Sequence, residues 1–395
     1  LVLAPLFIGV LFILPSAAAS PLSSGTPPPA FGWLKTFDQG IMGDGYAIVA
    51  TSDGGALVAG TIGSSPEPGR IFIIRTGAAG SEVWNTTLQK SPYSVTSIVE
   101  TPDRGIVMTA GSRDSITGGF LLIKLNQSGN EVWTRVFKNS ELVKSPTVGT
   151  TSDGGFIVAG SVYRNISPLS SLWNGFILKT NADGREQWTR VFKGDNNDYT
   201  AFAAQTTDDG YIAAGTTGSY GVNGVSAYLL KLNEFGNEDW FVPYDIRPEN
   251  SGMSVVRTLD GGYVLAGTTR SGNAYLPDKD LFLVRTDRQG KEQWRKRVPG
   301  WGSNSSTPLI GAADGTSILA RSYAGTLPVP QGEMSLLGID LNGTETVNTS
   351  FRPGVAFDIH GGAVVKREGY LFTGSSGDPV TSEKKVLTVL KIDQP

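Results

Sequence analysis

Short apolar segments recur along the chain with polar turns between them, and no window keeps an apolar stripe at helical period. The second copy of the pattern shows the unit clearly: SVTSIVET, IVMTAGS, FLLIKLN and EVWTRVF, four strand-length segments parted by turn residues. The alternation and the β-branched residues predict four antiparallel strands, here called first to fourth.

The unit repeats. Trp33, Trp84, Trp133, Trp188, Trp240 and Trp294 stand 51, 49, 55, 52 and 54 residues apart, and a further 53 lands on Val347. A second marker travels with them between first and second strands, as SDGGALVAG, PDRGIVMTAG, SDGGFIVAG, DDGYIAAG and LDGGYVLAG, with weaker forms in AADGTSILAR and KREGYLFTG. Four strands in some fifty residues is the size of a propeller blade. The last copy stops after its third strand, VLTVLKID, while an orphan fourth strand, GWLKTF with Trp33, precedes the first. The expected fold is all-β: a seven-bladed β-propeller of four-stranded blades over residues 31–395, closed by the N-terminal strand completing the C-terminal blade, which removes a free sheet edge. The sixth unit, with Val347 for Trp and no Ala-Gly marker, reads as a drifted copy and the loosest blade.

The stretch RTDRQGKEQW (285–294) has the look of a calcium loop. Its sisters decide otherwise: Asp287 is replaced by Asn126, Asn181, Asn233, Asp340 and Gly77, which removes most of the charge calcium requires. What persists is Gly three residues later, so the stretch is a hairpin turn between third and fourth strands, with no metal site. The Trp that follows is expected to wedge between neighbouring blades.

Composition narrows the function classes. Gly numbers 51 of 395, a turn-rich chain, and the net charge of −3 with scattered Lys and Arg argues against a nucleic-acid partner. Residues 1–19, LVLAPLFIGVLFILPSAAA, read as an export signal with a cleavage site at Ala17-Ala18-Ala19, or as an N-terminal anchor that would be the chain's membrane contact; 20–30 read as a Pro/Ser linker. Cysteine is absent, which excludes disulfides and thiolate chemistry. In an exported chain, Asn85, Asn126, Asn304, Asn342 and Asn348 are glycan acceptors; Asn165 is set aside because Pro168 follows its Ser.

The string in RTDRQGKEQW resembles the docking repeat of PQQ-like, quinoprotein-type propellers, in which Trp packs on the adjoining blade. The combination DGGY…AGTT…GNExW is also similar to repeat propellers of exported archaeal and bacterial proteins. The resemblance implies the fold. Quinoprotein dehydrogenases would add a calcium and a carboxylate base in the channel, but the channel-lining first strands, AIVAT, VTSIVET, TVGTT, AFAAQT, MSVVRT and PLIGAA, are small or apolar, so no cofactor is expected.

Second-to-third loops differ from copy to copy, and variable loops on a rigid ring are where binding resides. They and the inter-blade loops carry Tyr163, Arg164, Trp173, Tyr220, Arg270, Tyr275, Trp301, Arg321 and Tyr323, a mixture suited to sugar rings or a protein surface. Asp195 and Asp198 in GDNNDY are oxygen ligands in type, but a solvated turn is the better reading of them. Asp358 and His360, the latter the chain's one histidine, are channel candidates for acid–base work. No nucleophile elbow or phosphate loop occurs. The reading is an exported, non-catalytic propeller that binds a glycan or an extracellular protein through its variable face, at the cell surface or outside it; a channel-site enzyme and a cell-surface scaffold are the alternatives.

Overall fold

The structure is a computed structural model that describes residues 30–37, 43–62, 70–90, 93–112, 118–137, 142–167, 170–221, 224–246, 250–271, 278–299, 309–311, 317–323, 333–352, 356–365, 368–377 and 386–393. All regular structure there is β: 28 strands in seven four-stranded antiparallel sheets. Blades 1 to 6 span 43–88, 93–137, 143–192, 198–244, 250–298 and 309–351. Blade 7 takes three strands from 356–393 and its fourth from Ala30–Phe37, which pairs antiparallel with Val386–Asp393. The first strands of successive blades lie side by side around the axis, blade 7 against blade 1 included, so the ring closes on itself.

The core is divided into seven interfaces. In blade 1, Leu57, Ile71 and Ile73 face blade 2, while Val58, Phe72 and Ile74 face blade 7. The same division holds at each other seam. Because both faces of the second and third strands are covered, these strands read as continuous apolar runs such as FLLIKL, all six residues buried.

The third-to-fourth turn is built as the sisters of RTDRQGKEQW suggested. Asp287 Oδ1 accepts from the backbone N–H groups of Gln289 and Lys291 at 2.9 Å each, and Asn126, Asn181, Asn233 and Asp340 make the same pair of bonds. The Gly that closes the turn has φ between 72° at Gly184 and 82° at Gly343, which suits glycine alone.

Each turn is also a seat. The ring of Trp33 lies against Gly80, Trp84 against Gly129, Trp133 against Gly184, Trp188 against Gly236, Trp240 against Gly290 and Trp294 against Gly343, so each tryptophan of one blade roofs the turn of the next. The indole N–H of Trp84 donates to Gln127 O at 3.0 Å and that of Trp294 to Leu341 O at 2.9 Å. Six contacts run from blade 7 through blade 6. The seventh, blade 6 onto blade 7, has no turn to cover, because the third and fourth strands of blade 7 come from opposite ends of the chain. That is the place of Val347, which packs with Phe357, Ile359 and Phe372 of blade 7. The missing Trp therefore has a geometric cause, and drift is not needed to explain it.

Opposite each tryptophan across the hairpin stands a cation near the end of the third strand: Arg75, Lys124, Lys179, Lys231, Arg285 and Lys391. In blades 1 to 5 it meets the Asp of the first-to-second turn, as in Lys179 Nζ–Asp153 Oδ2 at 2.7 Å and Arg75 Nη2–Asp53 Oδ2 at 2.7 Å. In blade 7 the partners of Lys391 are Glu368 and Asp393. The basic residues that look scattered in sequence include this regular set, buried in blades 1 to 5 and half-buried at Lys391. Blade 6 has Gly338 opposite Val347 and so lacks cation and Trp together.

Candidate functional site

The second and third strands of blade 3, Phe156–Ser167 and Ser170–Thr180, are the longest hairpin among the described residues. Tyr163 pairs with Trp173 across it, placing both side chains on one face, with ring centroids 5.1 Å apart in an edge-to-face arrangement. Tyr163 Oη shares a hydrogen bond with Ser171 Oγ. From blade 4, Tyr199 brings its ring to 6.1 Å from Trp173, and Asn197 Oδ1 accepts the Trp173 backbone N–H at 2.9 Å. Lys144, at the start of the first strand of blade 3, sets its ammonium 5.8 Å from the Trp173 ring centre and 5.5 Å from that of Tyr199. The three rings are half-buried and Lys144 is exposed. Burial pushes the Tyr199 phenol up. The result is an aromatic platform with a cation at its edge, where blades 3 and 4 meet on the loop-rich face.

Other candidates stand apart from it. Arg164, exposed, pairs with Leu172, one step along the hairpin from Tyr163, so it points to the opposite side. Tyr220 packs edge-on to Phe241 at 5.6 Å and donates to Lys193 O at 3.1 Å, on the flank of blade 4. Arg270, Arg321 and Tyr323 occupy the ends of second strands, opposite Lys279, Ser335 and Glu333, and their side chains lie outside the described residues. Tyr275, Trp301 and Asn304 lie outside them altogether, as do residues 1–29.

Asp198 is buried and fully used: its oxygens accept from Thr217 Oγ1 at 2.7 Å and Ser219 Oγ at 2.8 Å, closing the loop that carries Asn196 and Tyr220. It is a structural turn residue. Asn85, Asn342 and Asn348 are exposed on outer strands or third-to-fourth turns, and Asn126 caps its turn with Oδ1.

At the blade 7–blade 1 seam, His360 Nε2 lies 3.3 Å from Asp358 Oδ2, and its Nδ1 lies 3.1 Å from Gly45 O. Tyr46 stacks on the imidazole at 5.5 Å. His360 and Tyr46 fill the same one-residue bulge in adjacent first strands. The pair that sequence placed on one strand is thus in contact. Among the described residues, no three His, Asp or Glu side chains converge as a metal site.

Two residues of the platform are not among the sequence candidates. Tyr199, in KGDNNDYT, reads as part of an inter-blade loop but stands in the first strand of blade 4, Asp198–Gln205, and Lys144 reads as one scattered base.

No protein-family model matches the sequence, and no curated protein matches it. Solved structures do match in fold. Polysaccharide lyase Uly1 superposes with a TM-score of 0.57 at 11% identity, over 89% of this chain and 90% of its own. A protein of unknown function from Dyadobacter fermentans gives 0.55 at 11%, over 93% and 100%. An ulvan lyase of polysaccharide lyase family PL25 gives 0.51 at 11%, over 94% and 96%. These likenesses establish the propeller. They also correct the expectation of a non-catalytic chain: lyases are built on this fold, so the ring gives no ground for excluding a reaction, and a missing nucleophile motif does not decide the matter.

Proposed function

We propose that this chain is an exported propeller that binds a saccharide on the platform of Trp173, Tyr163 and Tyr199. The observation that carries the reading is the half-buried Trp173, fixed by Tyr163 at its edge and Asn197 on its backbone, beside the exposed ammonium of Lys144. A rigid indole with polar groups at its rim suits the apolar face of a sugar ring and its hydroxyls. That polysaccharide lyases share the fold supports saccharides as the first ligands to try. Export rests on the apolar segment 1–19. The tryptophan seats support the resemblance to quinoprotein-type docking repeats.

The test is calorimetric titration of a panel of soluble polysaccharides against wild type, Trp173→Ala and Tyr220→Ala. Trp173→Ala should weaken binding at least about tenfold, or about 1.4 kcal/mol, and Tyr220→Ala should leave it close to wild type. Unchanged binding in Trp173→Ala, or a larger loss in Tyr220→Ala, defeats the proposal. Retention of a proteinaceous partner with no saccharide bound would replace it by a protein-docking role.

A further inference from the structure

We infer that the platform selects an acidic saccharide, one bearing a carboxylate or a sulfate ester, with Lys144 as the anchor of the anion; this rests on the platform being the binding site. The first strands of blades 1, 2, 3, 4, 5 and 7 each carry a one-residue offset in their pairing with the second strand, and in blade 3 the pairing is interrupted over Ser145 and Pro146 opposite Gly160. Ser145 sits at φ 48°, a left-handed backbone that a side-chain-bearing residue leaves unless it is held. The hold comes from blade 2: the Pro146 carbonyl accepts from Thr96 Oγ1 at 2.5 Å and Thr109 Oγ1 at 2.7 Å. The bulge thereby fixes the chain next to Lys144, whose ammonium lies over rings from two blades. Backbone strain spent on aiming one side chain is the signature of a positioned group.

The state of that ammonium is the second argument. Two other cations lie over tryptophans, Arg135 and Arg190, but they donate to turn carbonyls of the next blade, Asp183 O at 2.9 Å and Gly236 O at 2.8 Å. The third-strand cations have carboxylates. Among the described residues Lys144 has neither a carboxylate nor a carbonyl; it has ring faces and solvent, with N–H donors open to a ligand. A sugar stacked on Trp173 strips water from this ammonium. A neutral sugar gives nothing back, whereas an anionic substituent replaces the water with a charge-assisted bond. The same desolvation that opposes neutral sugars therefore favours acidic ones.

The test compares three probes by calorimetry at low and high salt: an oligogalacturonate, its neutral methyl ester, and a sulfated galactan oligosaccharide. At least one anionic probe should bind about tenfold tighter than the ester, with the advantage shrinking at high salt. Lys144→Gln, at an exposed position, should bring that probe to the level of the ester, and which anion binds identifies carboxylate or sulfate as the recognised group. Binding of both anionic probes no tighter than the ester, or a preference that survives Lys144→Gln, overturns the inference and leaves the platform standing. Unchanged binding in Trp173→Ala overturns the platform and the inference with it, and so does wild-type protein that binds none of the three.

Discussion

Truncating or crowding the tryptophan seats tests whether they hold neighbouring blades together. A methyl group added at Gly184 would stand 2.6 Å from the Trp133 ring and 3.0 Å from Arg135 Cγ, far inside contact distance. At Gly343 the same methyl would meet Trp294 at 3.4 Å, an ordinary contact, although φ there is 82° against 72° at Gly184. Both Ala substitutions carry the left-handed penalty of about 1 kcal/mol. Gly184→Ala adds a clash that must lift the indole off its seat, about 1–3 kcal/mol on the scale of overpacking. Gly184→Ala should therefore cost about 2–4 kcal/mol and Gly343→Ala about 1 kcal/mol. Trp133→Ala, removing a half-buried ring, should cost about 2–3 kcal/mol, below the ~3–5 kcal/mol of a fully buried one. In the Trp133→Ala background the methyl at 184 meets no ring, so its cost should fall to about 1 kcal/mol, a coupling of about 1–3 kcal/mol. Urea unfolding midpoints at unchanged m-value measure all of these. Equal costs at 184 and 343, or additivity of Gly184→Ala with Trp133→Ala, would refute the seat as the link between blades.

Three further outcomes follow from the turns and their cations. Asp153→Asn strands the Lys179 ammonium, 4% exposed, with Thr180 O at 2.7 Å and Gln187 Oε1 at 3.0 Å, and should cost about 2 kcal/mol after allowance for the half-exposed carboxylate; Lys179→Met leaves only a solvated Asp and should cost less, so the reverse order in urea unfolding would reject the asymmetry. The Thr51 hydrogen bond and Arg75 hold Asp53 down to about 2; for Asp103, burial pushes up but Lys124, Thr101 and the Gly105 N–H bring it to about 2, and Asp153, Asp208 and Asp260 are lowered in the same way. These contributions are fully present above the ordinary carboxylate value of 3.8 and are lost as pH falls from there towards 2, so melting temperature should drop across that window, and less steeply in Asp103→Asn. Arg104, at φ 57° where blades 1, 3 and 5 have Gly, should give about 0.5 kcal/mol of stability when changed to Gly, whereas Gly54→Ala, at φ 84°, should lose about 1 kcal/mol by the same assay.

Strand order, blade number and closure were readable because each depends on local period: apolar alternation, Gly at a positive-φ turn, and a repeat length that leaves one strand over at each end. The cation rung was equally periodic, in KLN, KTN and RTD at the ends of third strands, yet it escaped notice because a basic residue is read as solvent-facing until its partner is known. That partner, the Asp of DGG, is some 20 residues away and was already explained as a turn former. Both explanations of that Asp hold: one oxygen of Asp153 takes the Gly155 N–H that shapes the turn, and the other meets Lys179.

The candidate site is less legible for a related reason. Repetition reveals what every blade must do, and a binding surface is what one blade does differently. Trp173 and Tyr163 stood out because their hairpin is long, but Tyr199 and Lys144 belong to first strands, where the repeat is regular in length and breaks only in backbone. The left-handed backbone at Ser145 leaves almost no mark in VKSPTVGT beyond the neighbouring proline, which is free to sit at a bulge. Beside it Lys144 stands over two rings of different blades. The ring supplies seven nearly equal seams, each fixed by its own core and six of them by a tryptophan seat. One seam, between blades 3 and 4, is made distinct by a longer hairpin on one side and a left-handed residue, Ser145, in the bulge beneath it. A rigid scaffold of this kind keeps the rings of Trp173 and Tyr199 at a set spacing without ligand, so on the proposed reading a saccharide need not order the site first, and the choice between acidic and neutral sugars would fall to Lys144.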